Sequence, residues 1–320
     1  MGLSVAAMID MLDPDERLFA HALLEHAPAP PYSRYGVDGV RSLFDSTATA
    51  APPVRSVHSV EERTVDSPAG PLRVRCYRPS AARDLPVLLY IHGGGFVVGT
   101  LAGVDELCRT LSVEAECVVV SVEYRRAPEH VFPAAADDCL WIYEWIRREA
   151  AALGIDPSRI ALGGDSAGGN LALSICTSAA AAHRPMPSAL VLAYPATSNT
   201  HSGPSWEAFE DAPVLCKADA LWFWSNYAAG TDADRDPRAV PLLSSTLHAL
   251  PPTLVISAEV DVLRSDYEHF AAVAARAGAE IEVRRYDGVL HGFFTEVTTI
   301  GKAALAATDA ALHLRKHFGA

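Results

Sequence analysis

From about Val57 to Tyr286, short runs of β-branched and aliphatic residues alternate with stretches whose apolar positions recur every three or four residues. That alternation predicts helices packed on both faces of a mainly parallel sheet, an α/β architecture. Eight strands are expected: Val57 to Val65, Leu72 to Arg78, Val87 to Ile91, Cys117 to Glu123, Arg159 to Gly163, Ala189 to Tyr194, Thr253 to Ala258 and Ile281 to Tyr286. The helical stretches are Val104 to Val113, Pro133 to Ala152, Ala167 to Ala181, Ser265 to Ala277 and Lys302 to Phe318. Only Ser67-Pro68-Ala69-Gly70-Pro71 separates the first two strands, so they should pair antiparallel at one edge. The last strand should be the other edge, where Arg284 and Arg285 either block pairing or border a homodimer contact.

Two segments break this rhythm. Residues 1–53 hold Asp13-Pro14-Asp15-Glu16, which reads as a helix start with Asp13 as cap, followed by Leu18, Phe19, Ala22 and Leu23 on one face. A second stripe follows at Val37, Val40, Leu43 and Phe44. Such short stripes do not stand alone in water and must dock on something. Residues 197–232 interrupt the sheet between its sixth and seventh strands and are dense in aromatics, including Trp206, Phe209, Trp222, Phe223, Trp224 and Tyr227. The expectation is one α/β body, residues 54–196 and 233–320, with the N-terminal segment and the 197–232 insertion packed together as a helical cap. Phe96, Trp206, Phe209 and Trp222 are the candidate pocket wall, although such aromatics serve as plain packing just as often.

A chain of 320 residues with 50% hydrophobic content can bury a large core. The net charge of −13 argues against a nucleic-acid partner, which demands a basic face. No run approaches the roughly eighteen apolar residues of a membrane span, and Met1-Gly2-Leu3-Ser4-Val5-Ala6 lacks a positively charged export start, so a cytoplasmic location is expected. The cysteines (Cys76, Cys108, Cys117, Cys139, Cys176, Cys216) form no C-x-x-C pair and read as buried free thiols.

The chemistry centres on Gly164-Asp165-Ser166-Ala167-Gly168, which lies between a buried strand and a helix. In that setting the glycines let two backbones pass closely while the serine stands exposed as a nucleophile. A serine hydroxyl needs a neutral imidazole to take its proton and an acid to orient that imidazole. In this kind of fold both come from late strand ends, in the order Ser, Asp, His. Asp261 follows the strand Thr253 to Ala258 and His291 follows Ile281 to Tyr286, which makes them the candidates. Glu259, Asp266 and Asp287 are rival acids, of which Asp266 reads as an exposed helix residue. Asp165 cannot reach the far side of a histidine bound to Ser166 and is assigned a supporting hydrogen bond. The backbone N–H groups of Gly93, Gly94 and Ala167 are the candidate oxyanion donors. With an ordinary histidine as base, activity should fall as pH drops through roughly 6 to 7.

Several linked motifs follow one another from Pro86 to the C-terminus: His92-Gly93-Gly94-Gly95-Phe96, Tyr124-Arg125, Ala127-Pro128-Glu129, Phe132-Pro133-Ala134, the Ser166 pentapeptide with Gly169-Asn170, Asp261-Val262-Leu263-Arg264, and His291-Gly292-Phe293. Together they resemble the hormone-sensitive-lipase-like esterases of the α/β-hydrolase superfamily. The resemblance implies a serine carboxylesterase that acts on small or short-acyl esters without metal or cofactor. It also implies that Glu129 and Asp165 help hold the oxyanion loop and the serine turn rather than react, and His92 is expected to support the site beside them. Arg126 stands where the family pattern usually has leucine, and Val262 where it usually has proline. Amidase or arylformamidase chemistry uses the same triad and stays open, as does a binding module without turnover, although the intact triad argues against the latter.

Overall fold

The computed structural model describes residues 2–26, 30–47 and 53–319. The strands are β1 (Ser59–Ser67), β2 (Gly70–Arg78), β3 (Leu85–Ile91), β4 (Val118–Glu123), β5 (Ile155–Asp165), β6 (Leu190–Ala193), β7 (Thr253–Val260) and β8 (Ile281–Leu290). They form one eight-stranded sheet in the order β1-β2-β4-β3-β5-β6-β7-β8. β2 runs antiparallel to both neighbours, while β4 through β8 pair in parallel. β3 is a continuous apolar run because both its faces are covered, and Val87 through Ile91 have no exposed surface. β1 instead carries Glu61, Glu62, Arg63 and Asp66 and is mostly exposed, as an edge strand is.

The helices are α1 (Val5–Met11), α2 (Pro14–His26), α3 (Gly36–Thr47), α4 (Asp105–Glu114), α5 (Ala134–Arg148), α6 (Ala150–Leu153), α7 (Ala167–Ala181), α8 (Pro204–Ala208), α9 (Lys217–Tyr227), α10 (Arg264–Ala277) and α11 (Gly301–Phe318). The chain steps one way from β3 to β4 and the other way from β4 through β8. Right-handed crossovers therefore place α4 on one face and α5, α7 and α10 on the other. α11 packs against α4, and α5 against α7. The strand order reverses at β3, so the loops after β3 and β5 diverge and leave a crevice at the C-terminal ends of the strands.

Some boundaries differ from the sequence expectation. The single helix expected over Pro133 to Ala152 is broken at Glu149 into α5 and α6, and α1 was not anticipated. β8 continues four residues past Tyr286 to Leu290, which carries the sheet to the residue before His291. Asp13 does not cap α2 with its side chain, because its carboxylate pairs with Lys302 at 2.6 Å. The N-terminal helices and the 197–232 segment pack on each other. Tyr32 and Ser33 donate backbone N–H groups to the buried carboxylate of Asp219 at 3.0 and 2.8 Å, and Leu3 N donates to Ala208 O at 2.9 Å. All six cysteines are buried and free.

Candidate active site

Ser166 sits at the junction of β5 and α7 with φ 52° and ψ −117°, a conformation that costs a non-glycine residue energy and that the surrounding structure must impose. The turn is tight because α7 crosses close to the end of β3. A side-chain carbon on Gly168 would collide with the carbonyl oxygen of Ile91, and one on Gly164 would lie 2.5 Å from the Gly168 backbone. The sharp turn leaves the Ser166 hydroxyl facing the crevice.

His291 Nε2 lies 3.0 Å from Ser166 Oγ, and His291 Nδ1 lies 2.8 Å from Asp261 Oδ2. Asp261 is fully buried, with Oδ2 also accepting from the Tyr267 hydroxyl at 3.1 Å and Oδ1 accepting from Leu263 N at 2.8 Å. A carboxylate so placed receives three hydrogen bonds in a site without water access, which is how a buried charge is tolerated. The rival acids turn elsewhere. Glu259 accepts from Gly288 N, Asp287 pairs with Arg285, and Asp266 accepts from the Trp206 indole N–H at 3.1 Å. Asp266 is not exposed as expected. It is buried under Trp206, and burial pushes its carboxyl up to about 7.

Asp165 is buried and accepts from the Tyr90 hydroxyl at 2.8 Å and from Gly93 N at 3.1 Å. Burial raises its carboxyl above the usual range, and these two donors oppose the rise. The bond from Gly93 corrects one expectation, because an N–H committed to Asp165 is not free for an oxyanion. The N–H groups of Gly94, Gly95 and Ala167 have no acceptor among the described residues. Gly94 and Gly95 adopt φ 108° and 56°, backbone conformations that favour glycine, and both line the crevice together with Ser166. Gly95 therefore replaces Gly93 among the candidate donors.

His92 is buried and donates from Nδ1 to Gly93 O at 2.8 Å. Its ring stacks on Tyr124 at 4.4 Å between centroids, and burial pushes its pKa down to about 4, so it stays neutral. Glu129 does not touch the glycine loop directly. It holds Arg41 of α3 through two bonds of 2.7 and 2.8 Å, and Arg41 in turn donates to Val97 O at 2.9 Å and Ala127 O at 3.0 Å. Arg126, the departure from the family pattern, pairs with Asp45 of α3 at 3.0 Å and donates to Gly99 O, while Asp45 accepts from Gly99 N.

The crevice opens into a cavity of about 1130 Å³, large beside the usual small-molecule site. Phe96 and Trp206 line it as expected, but Phe209 and Trp222 do not. Phe209 is buried against Met8 and Leu12 of the N-terminal segment, and Trp222 sits on the other side of α9. Their places on the wall are taken by Phe223 and Trp224, joined by Phe19, Leu23 and Phe44 from the N-terminal helices. Tyr194, which the sequence reading passed over, leans on His291 with ring centroids 4.6 Å apart and accepts from Phe294 N at 3.2 Å. Its position at the C-terminal end of β6 was the available signal. No group of side chains among the described residues has the makings of a metal site.

A serine turn after the fifth strand, with a histidine and a buried carboxylate brought to it from the last two strand ends, defines a class of fold and site. Residues 88–295 match the α/β-hydrolase fold family. The chain belongs to that family, among the hormone-sensitive-lipase-like esterases that its motifs resemble. It is 35% identical to a carboxylic ester hydrolase, LipN, of Mycobacterium tuberculosis, over 88% of this chain and 79% of that protein. It is 39% identical to an ethyl acetate hydrolase of Pseudomonas putida, over 72% of this chain and 74% of that protein. Among solved structures, an ester hydrolase from the metagenome of Lake Arreo, in complex with a bipyridine phosphonate derivative, superposes with a TM-score of 0.90 at 35% identity, covering 97% and 100% of the two chains. No helix among the described residues is long and apolar enough to cross a membrane.

Proposed function

We propose that the protein hydrolyses small, short-acyl carboxylic esters through an acyl-enzyme formed on Ser166. The observation that carries this reading is the unbroken hydrogen-bonded line from Ser166 Oγ through His291 to Asp261, at 3.0 and 2.8 Å. Asp261 accepts at Nδ1 and so keeps the proton there, which leaves the Nε2 lone pair facing the serine. His291 removes the Ser166 proton as Oγ attacks the ester carbonyl. The developing oxyanion is met by the N–H groups of Gly94, Gly95 and Ala167, the last with the favourable end of the α7 dipole behind it. His291 passes the proton to the leaving alcohol. Water then enters and gives a proton to His291 as its oxygen attacks the acyl carbonyl, and His291 returns that proton to Ser166 Oγ as the ester bond to the serine breaks and the acid leaves.

The name of the Pseudomonas putida relative supports a short acyl group, and Phe223 packs on Gly95 at the cavity wall. Acyl-length profiling from acetate to dodecanoate tests the substrate claim, and a flat or rising profile toward long chains would overturn it. Labelling by a fluorophosphonate tests the nucleophile: Ser166→Ala should abolish it, and persistent labelling would assign the reaction to another residue.

A further inference from the structure

The turn Asp13-Pro14-Asp15-Glu16 stands out in the sequence but has no part in the reaction described above. Glu16, on the first turn of α2, has no exposed surface at all. Its Oε1 accepts from Leu290 N at 3.1 Å, while Oε2 is buried without a partner among the described residues. Leu290 is the last residue of β8, and β8 is the last strand of the sheet. His291 N bonds back to Val260 O of β7 at 3.2 Å, so the preceding N–H points away from β7, to the open edge where no strand follows. Glu16 supplies the acceptor that a ninth strand would have supplied.

The neighbouring residues of the turn hold the same loop at both ends. Asp13 N donates to Gly288 O at 2.9 Å, and the Asp15 carboxylate accepts from Gly301 N at 2.7 Å. Lys302 bridges the Asp13 carboxylate, at 2.6 Å, and Asp287 O, at 2.5 Å. His291 therefore stands in a loop whose two ends, 287–290 and 301–302, are tied to Asp13, Asp15 and Glu16 of the N-terminal segment. Burial, aided by the charges of Asp15, Glu296 and Asp13, pushes the Glu16 carboxyl up to about 8, so at neutral pH it accepts as an uncharged group. A buried acid with one idle oxygen is a costly way to fill space, and an aliphatic side chain would avoid that cost only by leaving the Leu290 N–H unpaired.

We propose that the Asp13 to Glu16 turn positions His291 for reaction, with the Glu16 carboxyl fixing the backbone at Leu290 and thereby the reach of the imidazole to Ser166. The proposal rests on the reading of Ser166, His291 and Asp261 as the reacting groups. A displacement of about 1 Å in such a group costs on the order of a hundredfold in rate even when the change lies outside the site.

The test compares Glu16→Leu with Glu16→Gln in the full chain. Kinetics with p-nitrophenyl acetate, the rate of inactivation by a fluorophosphonate, and thermal midpoints are measured for each. Leucine removes the acceptor, and kcat and the inactivation rate should both fall by about ten- to a hundredfold while KM stays within about twofold. Glutamine keeps an oxygen for Leu290 N and should restore most of both rates. A leucine variant that is less thermostable but reacts at the parent rates would overturn the proposal, as would a glutamine variant as slow as the leucine one. If the leucine variant does not fold, Lys302→Ala, which cuts the bridge at the other end of the loop, takes its place. A fall of about threefold or more in kcat at unchanged KM supports the proposal and parent kinetics overturn it. His291→Ala separates the two levels of inference. Retained activity there would remove the triad reading itself, whereas activity lost there but kept in Glu16→Leu would remove only the role of the turn.

Discussion

Replacing Asp261 by asparagine should cost far more than the loss of one charge suggests, and the structure says why. The carboxylate is anchored asymmetrically: Oδ1 takes the backbone N–H of Leu263 at 2.8 Å, while Oδ2 takes both His291 Nδ1 at 2.8 Å and the Tyr267 hydroxyl at 3.1 Å. A backbone N–H cannot turn round, so the amide oxygen of asparagine must occupy the Oδ1 place and its NH₂ the Oδ2 place. Tyr267 can reorient its hydroxyl to accept, but His291 meets a donor at Nδ1. The imidazole must then carry its proton on Nε2, facing Ser166, where it cannot serve as a base. For a triad this reversal is worth about 10⁴ in kcat, or about 5 kcal/mol of barrier. The assay is steady-state hydrolysis of p-nitrophenyl acetate near pH 7.5 on a variant whose circular dichroism and thermal midpoint match the parent. KM should change little, because the acid does not touch the ester. A loss of less than about tenfold would refute the argument, since it would mean that another carboxylate orients His291 or that the imidazole needs no orientation.

Gly168→Ala should destabilise the protein by about 3 kcal/mol or abolish folding, because the added methyl meets the Ile91 carbonyl oxygen and neither backbone can retreat; urea denaturation reads this directly. Phe223→Ala removes the ring that lies on Gly95 at the cavity wall, and kcat/KM for bulkier esters should rise relative to acetate in a competition assay. Arg41→Ala severs the links to Glu129, Val97 and Ala127, which should cost about 1–2 kcal/mol of stability in a denaturation curve and lower kcat through the loosened glycine loop. Glu16 also has a signature in stability. Its carboxyl holds its proton up to about 8 in the folded chain against an ordinary value of 4.5 when unfolded, so the folded state binds more protons between those values and its stability falls as pH rises through that window. Glu16→Gln removes the effect, and its thermal midpoint relative to the parent should climb from pH 5 to pH 8. A constant difference would contradict the raised pKa.

How much of this could be read from the chain depends on whether the signal was local. Buried parallel strands are continuous apolar runs, so β3, β4 and β7 were legible, and the chain order of Ser166, Asp261 and His291 follows from the order in which their strands reach one edge. The glycine loop shows where that reasoning runs out. Three consecutive glycines look alike in sequence, and only the approach of the Asp165 carboxylate to Gly93 decides that its N–H is spent. The aromatics of 197–232 fail for a related reason. Trp222, Phe223 and Trp224 are successive residues of α9, each turned about 100° from the last, and composition does not say which direction faces the cavity.

Glu16 is the hardest case. As an acid on the first turn of a helix, it reads as an exposed residue that complements the helix dipole. Its burial is set by a partner at position 290, near the far end of the chain, so no local pattern could reveal it. The same holds for Arg126, whose charge looks misplaced against the family pattern until Asp45 of α3 is found beside it. Both cases converge on one arrangement. α3 grips the glycine loop at Val97 and Gly99, and Asp13 with the first turn of α2 grips the His291 loop at Gly288, Leu290 and Gly301. The two loops that face Ser166 leave the sheet at different strands, β3 and β8. The N-terminal segment bonds to both, through Arg41 and Asp45 on one side and Asp13, Asp15 and Glu16 on the other, and the same segment supplies Phe19, Leu23 and Phe44 to the cavity wall.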